Sequence, residues 1–531
     1  MHDESRTNGW KRRVGRILIV LLLIAAPLAG LAWYKFFREL PQPKAITEDP
    51  ETNFLYGSIG SENQAGIPYW IVVVLPRIFD DMLPGPGGYA SLGLPWKEGV
   101  ELPAGFSKKT VGFPRVGFNC ALCHATQYRT APDATPTIVA AGGSNTADIQ
   151  GLLEFLSRAA NDSRFGSETI IAQIDVAYRL SWLDRLLYKF VFIPITKKRL
   201  QQQGRSFAWA AHRPRWGPGR DAPMNLTKFN FLGLPVDSSV DHTDFPAIWN
   251  LQTRVQAGRT WPGDDDALTG DWSKVSGYRP RLMLMNLDGA TTSFRSVILD
   301  SGLGLTSRSS PFFLRRMTEL ETWLLKLPPP KYPLPVDSAT ATRGKVVFEQ
   351  QCAICHASGR DNRLGTVIPL PEIGTDPERA NAWTQQAADS ANRAVRDQFG
   401  IHRTPMVKPE AGYVALQLDG IWLRGPYLHN GSVPTVRALL EPEERRPKAF
   451  YRGYDVLDQR NLGFVSRRCT EHFAEAPTGG RSGESQWGCM PDTDGWRYDT
   501  AERGNSNRGH RYGIRLSDAQ KAELVEYLKT F

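Results

Sequence analysis

Apolar and polar residues are interleaved at short range along most of the chain, and one stretch breaks the pattern. Ile17 to Tyr34 is an uncharged apolar run of 18 residues. As a helix it extends about 27 Å, enough to cross the hydrocarbon core of a bilayer. Lys11, Arg12, Arg13 and Arg16 precede the run, and only Lys35 and Arg38 closely follow it. Basic flanks are retained in the cytoplasm, so the tail (residues 1–16) stays inside and everything after the anchor (17–34) is exported. A cleaved signal peptide fits the same pattern, with Gly30 and Ala32 at the −3 and −1 positions of a cut. The first reading gives an inner-membrane protein with its body in the periplasm. The second gives a periplasmic or secreted one.

Elsewhere the spacing is helical. Pro311 to Leu327 is amphipathic with an aromatic stripe, and a second helix is expected near Thr146 to Leu156. Asp337 or Ser338 can cap a helix through Ala341 to Phe348 that runs into Cys352. Ser517-Asp-Ala-Gln520 is a capping box, followed by Ala522, Leu524, Val525, Tyr527 and Leu528 at helical spacing. Gly344 and Phe348 lie one turn apart, which permits a close crossing against Leu524 and Tyr527. Leu327 to Pro335 holds five prolines in nine residues. It reads as a stiff connector (327–336) between residues 35–326 and 337–531. The expected fold is mainly α, in two modules. A chain of 531 residues is too long for one core. Its 48 glycines and 38 prolines exceed ordinary usage and favour long irregular insertions.

Lys and Arg outnumber Asp and Glu by 64 to 55, but the excess is dispersed beyond the N-terminal run. That distribution speaks for a solvated basic surface and against a nucleic-acid partner. Six cysteines carry more information. Four of them form Cys120-Ala-Leu-Cys123-His124 and Cys352-Ala-Ile-Cys355-His356. Two thiols at this spacing add to the vinyl groups of a haem, and the next residue offers its imidazole to the iron. A zinc ribbon would place its second pair some 15–20 residues on, whereas 228 residues separate Cys123 from Cys352. A thioredoxin-like pair would sit in a βαβ pattern and would not explain a histidine after both. Two covalently bound c-type haems are therefore expected, with His124 and His356 as proximal iron ligands. Such haems are attached outside the cytoplasm, in agreement with the export signal. Cys469 and Cys489, in the same compartment, are expected to form a disulfide contributing about 3 kcal/mol; two free thiols is the other reading.

A crossing of terminal helices that encloses C-x-x-C-H resembles the class I cytochrome c module, here over residues 337–531. In that family the second axial ligand, usually Met, precedes the final helix. His510 stands at that place and is the candidate distal ligand of the second haem, with His429 as chief rival and Met406 and Met490 behind it. Between Ala125 and the helix near Thr146, and between Met285 and the helix from Pro311, neither His nor Met occurs. The first iron is therefore expected to keep an open position, unless His212, His242, Met224, Met283 or Met285 reaches it from the insert.

Two such haems, together with Gly420-Ile-Trp-Leu-Arg-Gly-Pro-Tyr427-Leu-His429-Asn-Gly-Ser, resemble the di-haem cytochrome c peroxidase superfamily. Its members carry Pro-Tyr-x-His-x-Gly-Ser after the second haem motif. Asp244-Phe-Pro-Ala-Ile-Trp249-Asn and the long C-terminal loop look closer to the rubber-oxygenase type. The resemblance implies one electron-transfer haem and one catalytic haem, and makes His429 a candidate catalytic residue; a loop histidine that holds backbone or a haem propionate is the alternative. Trp249, Phe229 and Phe231 either stand beside the haems or are plain core, and Arg424 either pairs a propionate or lies on the surface.

The expected protein is thus a membrane-anchored oxidoreductase drawing on a redox partner protein or a quinol-linked electron chain, with a small oxidant such as peroxide or oxygen. A pure electron carrier with both irons six-coordinate and a gas-binding or structural haem subunit are the other readings. A high-spin ferric component separates the first and last from the second.

Overall fold

The computed structural model describes residues 4–252, 284–306, 308–357, 362–470 and 488–531. The apolar run lies in a helix, Glu4–Phe36, whose part from Val14 to Phe36 is long and apolar enough to cross a membrane. Its 18-residue apolar window is not buried against the rest of the protein. A helix of this kind near the N-terminus serves equally as an anchor or as a signal sequence.

Helices dominate the remainder, but the described residues also form five small antiparallel sheets that the sequence pattern does not announce. The largest has three strands, with Phe113–Phe118 between Ile67–Pro68 and Phe106–Val111. The others have two strands of two to four residues each. Strands so short, paired across long loops, carry no alternation long enough to read. Against the large sheet, Tyr69–Ile78, Ile149–Asn161, Ser167–Ala177 and Ile193–Ser206 bury Ile71, Val74, Leu75, Phe79 and Phe155 in one core. The second of these helices starts three residues later than Thr146. The Thr146 hydroxyl donates to Gly93 O at 2.6 Å, and Asp148 caps the helix by accepting from Gly151 N.

Beyond the helix Pro311–Lys326 the Pro-rich connector runs extended. Pro330 O accepts from Trp422 Nε1 at 3.0 Å, which fixes the connector to the C-terminal half. Helix Ser338–Gln351 is capped by Asp337, which accepts from Ala339 and Thr340 N–H. The final helix, Asp518–Leu528, carries the complete Ser517/Gln520 capping box. The two cross at Gly344, where a Cβ would lie 1.9 Å from Glu523 O. Only glycine fits there, and the approach lets Phe348 meet Tyr527 at 5.5 Å between ring centroids. Cys469 and Cys489 are joined in a disulfide with Cα atoms 4.9 Å apart.

The two halves interlock. Arg129 pairs with Asp455 at 2.6 Å and Arg452 with Asp244 at 2.7 Å, both across the connector's division of the chain. Arg220, fully buried, donates to Asn505 Oδ1 at 2.8 Å.

Candidate haem site

Each C-x-x-C-H sequence folds as a single helical turn, Ala121–His124 and Ala353–His356. His124 N donates to Cys120 O and His356 N to Cys352 O, both at 3.0 Å, so both thiols and the imidazole of each motif come from one turn. The four thiols are unbonded and half-buried. Burial pushes Cys120 up to about 11 and Cys352 to about 12, so they rest as neutral thiols.

Both histidines are oriented by a backbone carbonyl. His124 Nδ1 donates to Pro246 O at 2.9 Å, and His356 Nδ1 to Leu416 O at 2.7 Å. A carbonyl only accepts, so the proton sits on Nδ1 and the lone pair on Nε2, the tautomer a metal requires. Burial pushes His124 down to about 4 and lowers His356 as well, which keeps both rings neutral.

The structure brings His356 and His510 together, with ring centroids 6.3 Å apart and planes at 41°. Two iron–nitrogen bonds of about 2 Å, added to the half-widths of two imidazoles, span about 6 Å. The gap therefore fits a metal held between the rings. His510 sits at φ 49°, in the left-handed region, after Gly509 at φ 76°. A Cβ on Gly509 would lie 2.3 Å from Gly374 C, so glycine lets the two loops touch. His510 N donates to Ile373 O at 2.7 Å, and the buried Arg446 donates to Gly509 O at 2.8 Å and His510 O at 3.3 Å. A non-glycine residue in this conformation persists only when its surroundings dictate it, and here they do.

The rivals stand elsewhere. His429 stacks on Tyr413 at 3.9 Å with its Nε2 buried and unpartnered, and its backbone carbonyl accepts from Asp244 N. Met406 packs near Trp383, and Met490 is buried beside the disulfide. For the first motif, His212 is exposed, His242 is buried near Gly504, and Met224 packs with Met406. Met283 lies outside the described residues. Met285 is buried in the cluster against which Cys120 packs. Among the described residues no second imidazole faces His124 as His510 faces His356.

Trp249 is buried between the halves: its Nε1 donates to Asp419 O at 3.0 Å, and its ring covers both Gly142 and Gly420. Phe231 stacks on Phe399 and Phe229 meets Trp209, both as core. Arg424, beside His356, donates to Gln417 O at 2.7 Å. Sequence reasoning missed Arg379. Its Nε and Nη1 are buried and unpartnered, while Asp221 and Asp241 act on it at longer range. A buried guanidinium without a bonded anion is costly, so this group fits a carboxylate such as a haem propionate. It sits on a five-residue helix, Glu378–Ala382, that no motif marks.

A family model described as RoxA-like, cytochrome c-like matches residues 412–451. The matched stretch includes Leu416, which orients His356, as well as Arg424, Tyr427 and His429. Two proteins of Sinorhizobium fredii (strain NBRC 101917 / NGR234) are similar to this chain. Uncharacterized protein y4iM is 29% identical, over 60% of this chain and 71% of its own length. Uncharacterized protein y4iJ is 28% identical, over 78% of this chain and 76% of its own length. The family match supports a relationship to the RoxA-like cytochromes c, a cytochrome c-like domain in this chain, and c-type haem as its cofactor.

Proposed function

We propose that this protein is a membrane-anchored di-haem cytochrome c acting as an oxidoreductase in the periplasm. The observation that carries the reading is an asymmetry: His356 faces His510 at 6.3 Å, and His124 faces no second imidazole among the described residues. When bound, a six-coordinate haem relays single electrons and a five-coordinate haem admits a small ligand such as oxygen or peroxide. Cys120, Cys123, Cys352 and Cys355 would hold the two haems covalently, with His124 and His356 offering their imidazoles to the irons. Pro246 O and Leu416 O keep those rings in the ligating tautomer. Arg379 and Arg424 bind and orient propionates. Trp249, packed between the halves, would help to fix the spacing of the two C-x-x-C-H turns. His429, with a free Nε2 in a buried site, is placed to hold or pass a proton. Electrons come from a redox partner protein or a quinol-linked chain.

Mass analysis and a ferric spectrum test this together. Two haems per chain with one high-spin component are expected; a single haem removes the di-haem reading. A second reading, a pure electron carrier, draws on Met285, which shares a core cluster with Cys120. If its thioether ligates the first iron, the ferric protein is wholly low-spin, and Met285→Ala creates the high-spin component.

A further inference from the structure

Large apolar side chains outside the anchor are mostly buried, with one concentration of exceptions. Val176, Tyr178, Trp182, Leu186, Phe190 and Ile195 are all exposed, Trp182 and Phe190 by 75% and 65%. They fall within a helical segment built from the end of Ser167–Ala177, the helix Trp182–Leu187, one π-helical turn and the start of Ile193–Ser206. Other exposed large apolar residues of the C-terminal half, such as Val346, Ile354 and Val407, are scattered singly. Single exposures are ordinary, but six in one segment mark a surface with a partner.

The segment's position names the partner. Lys35, in the last turn of the anchor helix, pairs with Asp184 at 2.6 Å, and Phe36 meets Phe192 at 6.0 Å. The segment therefore packs against the point where the anchor leaves the bilayer. Phe37 and Leu40, directly after the anchor, are exposed on the same stretch of chain. Charge agrees with this placement. Asp175 and Asp184, the two acids of residues 175–199, are both neutralised, by Arg185 and Lys35. Arg179, Lys189 and Lys198 are exposed, and none forms an ion pair among the described residues. An apolar face with aromatic anchors and a basic rim suits the headgroup zone of an anionic membrane.

We infer that residues 176–195 lie in the surface of the bilayer beside the anchor, so that the exported body is seated on the membrane rather than tethered above it. The inference rests on the anchored reading of residues 17–34. A seated body presents its surface to lipid-soluble reactants held in that leaflet.

The test uses the full-length, haem-loaded protein in vesicles of phosphatidylglycerol and phosphatidylethanolamine that carry a phospholipid with a photoreactive acyl chain. Peptide mapping after illumination should find label in residues 17–34 and also in 176–195. The double variant Trp182→Glu, Phe190→Glu should lose the second label and keep the first, with an unchanged haem spectrum. Wild-type label confined to 17–34 overturns the inference, as does cross-linking of 176–195 to a second copy of the chain in place of lipid. Absence of label from both segments instead defeats the anchored reading. The wild-type result decides the matter even if the variant fails to fold.

Discussion

His510 presents its ring to His356 from a strained backbone, and Arg446 and Gly509 hold that strain in place. The facing pair therefore depends on a loop held by its own hydrogen bonds and close packing. On the proposed bis-histidine reading, a ring held in this way would spend little conformational entropy on ligation.

Removing that ligand should open the second haem. His510→Ala is expected to raise carbon monoxide or cyanide binding from one to two per chain, measured by optical titration. His429→Ala should leave it at one. A rise to two in the His429 variant would transfer the distal role to that residue.

The helix crossing predicts a different cost. Gly344→Ala gains helix propensity of about 1 kcal/mol, but its methyl group meets Glu523 O. Overpacking of this kind costs about 1–3 kcal/mol, and more when backbone must move. A net loss of stability is expected in denaturant titration, together with easier dissociation of the terminal helix in hydrogen exchange.

Replacing both Cys469 and Cys489 by serine should lower stability by about 3 kcal/mol, the loop-closure value for a 20-residue separation. Non-reducing peptide maps of the exported wild type should contain the two cysteines in one linked peptide. Alkylation of both in the native protein would show that this staple is not in use.

Arg379 offers an electrochemical prediction. Loss of a buried positive charge beside a haem favours the ferric state, so Arg379→Leu should lower one midpoint potential. Arg379→Lys should restore most of it, since charge is kept while the bidentate geometry is lost. Unchanged potentials in both variants would separate Arg379 from the haems.

Glu62 is fully buried, accepts from Ser58 and Ser107 hydroxyls at 2.6 and 2.5 Å, and is raised above the usual carboxylate range by burial. The folded state then holds the proton more tightly than the unfolded chain. Stability is fullest below the ordinary carboxylate range and declines as pH rises towards the folded value. Glu62→Gln should flatten this decline in melting curves taken from pH 4 to pH 8. An identical slope in the variant would assign the pH dependence to other groups.

The C-x-x-C-H turns were legible because the motif is local: five consecutive residues make one turn and carry two thiols and an imidazole. Ser517/Gln520, Asp337 and Gly344 were legible for the same reason, as caps and crossings are written in short spacings. His510 was found by its position before the final helix. Arg379 and Arg446 were not, because their significance lies in their surroundings, and partners such as Asp221 and Gly509 are far away in sequence. The small sheets escaped for lack of length. The carbonyls that orient both histidines come from Pro246 and Leu416, and backbone atoms leave no trace in composition.

The pairing of Arg220 with Asn505 and of Asp244 with Arg452 has a consequence for biogenesis. On the proposed exported reading, residues 35–326 would cross the membrane first, yet Arg220 and Asp244 complete their sets of partners only with Asn505 and Arg452. Until then the N-terminal half would lack its full set of bonds, which would leave the Cys120 turn accessible while the chain crosses. If both C-x-x-C-H turns take haem as proposed, the first would be loaded on an incomplete fold, whereas the second is followed closely by the residues that close it. On that reading the direction of export would set the order of haem loading.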